Sequence, residues 1–282
     1  MQTVASVEEL RLLVRAARQR GQRVGLVPTM GALHHGHASL IKAARAQTDF
    51  VVVSLFVNPA QFGPNEDFQR YPRPFEADQQ LCQAEKVDVL FRPSVEAMYP
   101  PGHATAVQVR GLDAILEGAI RPGHFQGVAT VVTMLFNQVQ PDLAFFGQKD
   151  AQQVAVIQQL VRDLHFPIEI IVCPTIRETD GLASSSRNVY LNPKQRQQAT
   201  VLFRSLELAR RMVREGERHA ASIRKEMGRL ISSAAEAQLD YIEIVDPVTM
   251  QPMTELRGKI LIVLAVRFGS TRLIDNDLFE VT

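Results

Sequence analysis

His34-His35-Gly36-His37 is the densest cluster of chemically useful side chains in this sequence. His34 and His37 stand three residues apart, one turn if a helix begins there. A helix N-terminus gathers free N–H groups and a partial positive charge of about half a unit, so it favours anions. Imidazoles at that point can donate to phosphate oxygens, and Gly36 lets the backbone approach a ligand closely. A surface cluster and a metal pair are the competing readings. A zinc site needs three or four ligands, and His103, His124 and His165 show no metal-type spacing to the pair. A second candidate is Gly147-Gln148-Lys149-Asp150, which carries one of only six lysines. A lysine between a strand and a helix can meet phosphate as a compact charge, while Asp150 caps the following helix on any reading. A third is Ser184-Ser185-Ser186-Arg187, just after Asp180-Gly181. Hydroxyls beside a guanidinium suit an anion clamp, with a polar interdomain linker as the alternative. The amides of Asn58, Gln61 and Gln153 form the fourth set, of a kind that orients small polar ligands.

Histidine, lysine, serine and arginine together suit the cleavage of a nucleoside triphosphate, where charge on phosphate must be neutralised. GQKD is not a GxxxxGK[ST] loop, and neither a GxSxG elbow nor a GxGxxG after the first strand is present. The last absence disfavours a dinucleotide oxidoreductase.

The elements that must hold these residues follow from periodicity. Ser6 and Glu9 form a capping-box pattern before a helix with Val7, Leu10, Leu13, Val14 and Ala17 on one face, stopped at Gly21. Val24–Val27 reads as a buried strand ending at Pro28, and Ala38–Gln47 as a helix. Phe50–Val57 is a near-continuous apolar run, as in a parallel strand covered on both faces. Asn65–Pro74 reads as loop, Phe75–Lys86 as helix and Val87–Phe91 as strand. Gly123–Gln138 is a helix opened by glycine, followed by strand Asp142–Phe146, helix Asp150–Leu164 and strand Ile168–Cys173. This alternation predicts a doubly wound parallel α/β sheet, Rossmann-like, over residues 1–176. Ligands in such sheets bind beyond the carboxyl ends of the strands, where the four polar loops Thr29–His37, Asn58–Gly63, Gly147–Asp150 and Thr175–Arg187 fall. Lys194–Arg214 and Ala220–Ala237 read as helices, and Asp240–Val245 and Lys259–Arg267 as strands. They predict a smaller α+β C-terminal domain over residues 177–282, acting as a lid.

Composition narrows the functional class. The chain has 282 residues with 31 basic and 30 acidic side chains, a balance that argues against a nucleic-acid-backbone binder. Hydrophobic residues are 46% and charged residues 22%, which excludes a disordered chain. No apolar stretch reaches the roughly 18 residues of a membrane span, and the first residues lack a signal-peptide pattern. Two cysteines, Cys82 and Cys173, make no disulfide framework. The expectation is a cytoplasmic protein with neither nucleic-acid nor membrane partners.

HxGH after a first strand, with a later basic Ser-rich loop, resembles the paired motifs of the nucleotidyltransferase superfamily. Longer strings are more specific. PTMGALHHGH (Pro28–His37), FVNPAQF (Phe56–Phe62), YPR (Tyr71–Arg73), RPGHFQGV (Arg121–Val128), FFGQKDAQQ (Phe145–Gln153), RETDGLASSSRNVYL (Arg177–Leu191) and GSTRLIDN (Gly269–Asn276) are similar to the pantothenate synthetase family, in family order. The resemblance implies an ATP-dependent ligase that condenses pantoate with β-alanine through pantoyl adenylate, releasing pyrophosphate and AMP. It implies ATP as substrate, Mg²⁺ as cofactor and a homodimer. By motif, Met30, Gly31, Ala32, Leu33, His34, His35, Gly36 and His37 would meet ATP, with His34 and His37 on its phosphates. Gly147, Gln148, Lys149 and Asp150 would do so too, Lys149 on phosphate and Gly147 and Asp150 on the ribose. Ile176 and Ser184 would complete the nucleotide site, and Ser185, Ser186 and Arg187 would clamp the triphosphate. Gln61 and Gln153 would hold pantoate, Gln61 would also meet β-alanine, and Asp78 would be the metal ligand. Two positions depart from the family pattern: Ser184 stands where Met is usual, and Ala77 where an acidic residue often precedes the aspartate. Another HxGH nucleotidyltransferase and a non-catalytic ATP-binding module are the alternatives. Amine-dependent AMP release separates the first, and pyrophosphate release the second.

Overall fold

The computed structural model describes residues 1–64 and 66–281; Asn65, at the head of the expected loop Asn65–Pro74, lies outside them. The chain divides into two compact units. The first contains residues Met1–Gly147 and Val156–Cys173. Its elements run β1 (Gln2–Val4), α1 (Val7–Gln19), β2 (Val24–Thr29), α2 (His35–Gln47), β3 (Phe50–Leu55), α3 (Phe75–Ala84) and β4 (Val89–Phe91). Then come α4 (Val95–Met98), α5 (Glu117–Ile120), α6 (His124–Val139), β5 (Leu143–Gly147), α7 (Ala151–Asp163, whose first residues belong to the second unit) and β6 (Glu169–Cys173).

Local chemistry explains the element starts. The Ser6 hydroxyl accepts the Glu9 N–H at 3.2 Å, and the Glu9 carboxylate accepts the Ser6 N–H at 3.4 Å, closing the box that starts α1. Leu10, Val14 and Ala17 bury its apolar stripe. Gly123, with φ of +84°, turns the chain into α6. β3 is buried at all six positions, as a strand covered on both faces must be. Strand β2 does not stop at Pro28 but runs to Thr29. β5 pairs only with Gly25 and Leu26, so this end of the ladder tolerates a residue without an N–H. Strand β1 gave no sequence signal: it is three residues long, two of them exposed, and is held by parallel pairing to β4.

The six strands lie in the order β1-β4-β3-β2-β5-β6, with every pairing parallel. The chain builds outward from β2 through β3 and β4, then returns to place β5 and β6 on the other side of β2. The order therefore reverses between β2 and β5, where an open α/β sheet offers its ligand crevice. β2 ends at Thr29, just before the histidine loop, and β5 ends at Gly147. Val27, Ile41, Val51, Val53, Leu90, Leu143 and Phe145 are central to one core of this unit.

The second unit contains Gln148–Ala155 and the chain from Pro174 onward. It differs from the expected continuous domain beginning at residue 177, because its last strand binds the backbone of Gln148 and Lys149. Its elements are α8 (Pro193–Gln198), α9 (Val201–Arg214), α10 (Ala220–Ser232), β7 (Ala237–Val245), β8 (Gly258–Phe268) and β9 (Thr271–Val281). The helix expected over Lys194–Arg214 is two helices, because the chain tightens at Ala199, whose carbonyl takes the Leu202 N–H. The three strands form an antiparallel meander, β7-β8-β9. Strand β9 was not expected, since Arg272, Asp275, Asn276, Asp277 and Glu280 break the apolar alternation. Pairing along its whole length to β8 makes it a strand regardless. Leu206, Ala209 and Val213 of α9, Ile223, Met227 and Ile231 of α10, and Ile260, Ile262 and Leu264 of β8 share one core.

Candidate functional site

His34 is the N-cap of α2. Its Nδ1 accepts the Gly36 N–H at 3.1 Å, and the His37 Nδ1 accepts the His34 N–H at 3.2 Å. The two rings lie 4.2 Å apart between centroids. Because both Nδ1 atoms accept backbone N–H groups, the hydrogen of each neutral ring sits on Nε2. A Cβ at position 36 would lie 2.8 Å from the His34 ring, so the glycine is what lets this ring fold back over the helix start. His35, between them, is exposed.

The loop leading into this turn is held from α3. Asp78 is 3% exposed, and its carboxylate accepts the Ala32 N–H at 2.9 Å and the Leu33 N–H at 2.7 Å. Ala32 sits at φ +50° and Gly31 at φ +86°, left-handed conformations that need such support. Burial pushes the Asp78 carboxyl upward, against the two backbone N–H bonds that hold it down. The residue expected to carry a metal thus braces the histidine loop with both oxygens. Among the described residues, no group of three or more His, Cys, Asp or Glu side chains is placed to hold a metal ion.

Gln61 closes the short 3₁₀ turn Pro59–Gln61 and is buried. Its amide donates to the Met30 sulfur at 3.0 Å and accepts from Asn58 Nδ2 at 3.1 Å. Asn58 also donates to the Gly127 carbonyl at 3.1 Å and accepts from Tyr99 at 2.8 Å. A Cβ at position 127 would lie 2.3 Å from the Ala60 carbonyl oxygen, so only glycine allows α6 to pack this closely. His124 Nδ1 donates to the Gln61 carbonyl at 2.8 Å, and its Nε2 accepts from Arg121 at 3.0 Å. Burial, reinforced by the Arg121 charge, lowers the imidazole to about 4. Arg121 in turn pairs with Glu66 at 2.6 Å. Burial alone would raise Glu66, but the Arg121 guanidinium outweighs it and the carboxyl is lowered. The RPGHFQGV string therefore acts from behind Gln61.

In the second unit, Gln148–Asp150 form a 3₁₀ turn directly before α7, and Lys149 Nζ lies 3.3 Å from the Asp150 carboxylate. Gln153 is half-buried in the first turn of α7. The Ile176 carbonyl accepts the Ser184 N–H at 2.9 Å, and Ser184 is buried. Ser185 caps the 3₁₀ turn Ser186–Tyr190, its hydroxyl accepting the Arg187 N–H at 3.3 Å. Arg177, at the root of this loop, forms a bidentate pair with buried Asp275 at 2.7 and 3.0 Å. Burial raises the Asp275 carboxyl, and the Arg177 charge opposes it.

Within the first unit, the loop after β2 carries Met30, bonded to Gln61, then the Ala32 and Leu33 amides held by Asp78, then the paired His34 and His37, and Gly147 stands at the end of β5. Within the second, Gln148, Lys149 and Asp150 stand on one turn, and Ile176 is bonded to the serine loop. Sequence reasoning assigned no role to His124, Arg121, Gly127, Asp275 or Asn276. Their only signal was membership of the longer strings.

A six-stranded parallel sheet with a histidine-capped helix at its switch point, joined to a small α+β unit, defines a doubly wound α/β protein of the HxGH nucleotidyltransferase type. Residues 2–278 match the family model described as Pantoate-beta-alanine ligase. The pantothenate synthetase of Moorella thermoacetica is 57% identical over 281 residues, 100% of this chain and 98% of that protein. The crystal structure of pantothenate synthetase from Thermus thermophilus superposes with a TM-score of 0.94 at 50% identity, covering 100% of this chain and 99% of that one. The pantoate-beta-alanine ligase of Francisella tularensis, solved with beta-gamma ATP and beta-alanine, gives a TM-score of 0.79 at 36% identity over 99% and 97% of the two chains. The chain belongs to the pantoate–β-alanine ligase family.

Proposed function

We propose that this chain joins pantoate to β-alanine with cleavage of ATP, through pantoyl adenylate, using the loops described above. A carboxylate is a poor acyl donor. In the first step a pantoate carboxylate oxygen attacks the α-phosphorus and pyrophosphate leaves. In the second the free amine of β-alanine attacks the acyl carbon and AMP leaves. No covalent enzyme nucleophile is needed, so the protein supplies positioning and charge stabilisation.

The observation that carries this reading is the His34–His37 turn. Both rings accept backbone N–H groups on Nδ1, which puts the donor of each neutral ring on Nε2, and such donors at a helix start suit phosphate oxygens. Met30, Gly31, Ala32, Leu33, His35 and Gly36 form the backbone of that nucleotide loop. Lys149 meets phosphate, Gly147 and Asp150 meet the ribose, and Ser185, Ser186 and Arg187 clamp the triphosphate. Gln148, Ile176 and Ser184 line the nucleotide. Gln61 and Gln153 hold pantoate, and Gln61 also meets β-alanine.

The donor set does not suit a protein-held metal. Asp78 commits both oxygens to the Ala32 and Leu33 amides, and Ala77 is no carboxylate. Magnesium commonly takes one or two carboxylates plus phosphate oxygens, and here it fits as a companion of the nucleotide. The same reading places the protein in the cytoplasm as a homodimer, the latter checked by light scattering on the purified chain.

The test is to supply ATP, Mg²⁺ and pantoate, follow pyrophosphate, then add β-alanine and follow AMP. Pyrophosphate first, with AMP and pantothenate only after the amine, is the expected result. Pyrophosphate without amine-dependent AMP would reject the acceptor, and no pyrophosphate would reject the ligase reading for this chain.

A further inference from the structure

Asn276 lies on β9, 4% exposed, with no place in the reaction described above. Its Nδ2 donates to two consecutive carbonyls, those of Gln148 and Lys149, both at 2.9 Å. Its Oδ1 accepts from the Gln148 side chain at 3.2 Å. One neutral side chain thus grips the two peptide units on either side of the Lys149 Cα. Asn276 is itself anchored: its N–H donates to Asp275 Oδ1 at 2.8 Å, and Arg177, which pairs with Asp275, donates to its carbonyl at 3.3 Å.

We propose that Asn276 is a positioning residue for Lys149, fixing the backbone from which the lysine reaches phosphate. This rests on the reading of Lys149 as a phosphate-binding group. A lysine is a compact charge on a flexible stem, so its reach is set by where its Cα is held and how its peptide planes are turned. Two carbonyl bonds from one rigid amide fix both planes. Asn276 brings no charge, so its contribution is geometric and vanishes when there is no ammonium group to place. Asp275 and Arg177 hold the clamp, and the same pair anchors the root of the serine loop through the bond from Arg177 to the Gly181 carbonyl at 3.1 Å.

The test is a double-mutant cycle on pantoyl-adenylate formation with the full chain, using Asn276→Ala, Lys149→Ala and the pair. Loss of two backbone-directed bonds is expected to lower the adenylation rate about 10-fold when Lys149 is present. In the Lys149→Ala background the same change is expected to alter the rate less than about 2-fold, because residues acting through one another are not additive. The KM for pantoate should stay within about 2-fold, since a merely structural loss would move it as well. Equal losses in both backgrounds, or no loss with Lys149 present, would overturn the proposal. If Lys149→Ala alone leaves adenylation unchanged, the reading of Lys149 fails and the proposal falls with it. Should Asn276→Ala not fold, Asn276→Leu, which keeps the branched shape without charge and removes both donors, goes through the same cycle under the same criteria.

Discussion

Acidification should weaken the fold of the first unit through one imidazole. His124 donates from Nδ1 to the Gln61 carbonyl and accepts from Arg121 on Nε2. A proton on Nε2 removes the acceptor and sets an imidazolium 3.0 Å from a guanidinium nitrogen. Burial and that guanidinium therefore hold the imidazole at about 4, against an ordinary 6.5. An imidazole lowered on folding binds fewer protons in the native state than in the unfolded state between those two values. Stability then rises with pH across the window from about 4 to 6.5, and is lost as pH falls through it. At 1.36 kcal/mol per pKa unit, the loss between pH 7 and pH 4 is about 3 kcal/mol.

Carboxylates titrate in the same range, so the informative quantity is a difference. Urea unfolding of the natural chain and of His124→Leu, measured at intervals from pH 7 to 4, isolates the imidazole. At pH 7 the natural chain should be the more stable, because the variant loses the bond to Gln61 and leaves Arg121 without its acceptor. That advantage should shrink by about 3 kcal/mol as pH falls to 4. Two curves that stay parallel across the window would refute the argument and show that His124 is not held neutral by its surroundings.

Three further outcomes follow from close contacts. Gly127→Ala puts a Cβ 2.3 Å from the Ala60 carbonyl oxygen; a stability loss of about 1–3 kcal/mol by denaturant unfolding and a raised KM for pantoate are expected, and an unchanged KM would detach this packing from Gln61. Gly36→Ala drives a Cβ to 2.8 Å from the His34 ring; pyrophosphate release should fall about 10-fold, and unaltered release would show that the folded-back ring is not needed. His37→Ala should slow adenylation by about 10²–10³-fold, the scale of one preorganised donor, and unchanged single-turnover adenylation would remove it from the phosphate site.

The doubly wound sheet was legible because its signals are local. FVVVSL announces a strand buried on both faces, and Ser6 with Glu9 announces a helix start. The polar loops at the strand ends could then be picked out as ligand-facing by topology. What stayed hidden is non-local. β1 has no period of its own and exists through pairing to β4. β9 carries Arg272, Asp275, Asn276 and Asp277, which read as loop, and it becomes a strand only by lying along β8. Pro28 reads as a stop because a proline's missing N–H is assumed to matter, which depends on a neighbour the sequence does not name.

The candidate site divides along the same line. His34, His37, Lys149 and Arg187 could be picked out by type, because a phosphate-binding residue must carry a donor or a charge. The groups behind them carry polar chemistry too, yet their roles could not be read, because their partners are backbone atoms far away in sequence. Asp78 binds two amides of the Gly31–Leu33 turn, His124 binds the Gln61 carbonyl, and Asn276 binds the carbonyls of Gln148 and Lys149. Each is a buried or half-buried side chain that commits its hydrogen bonds to a loop's peptide groups. An unpaired peptide group in the interior would cost about 1–3 kcal/mol, so each bond also removes alternative loop conformations. A carboxylate such as Asp78 reads from sequence as a metal ligand for the same reason that it works as a brace: two oxygens can serve a cation or two amides, and only the fold decides which.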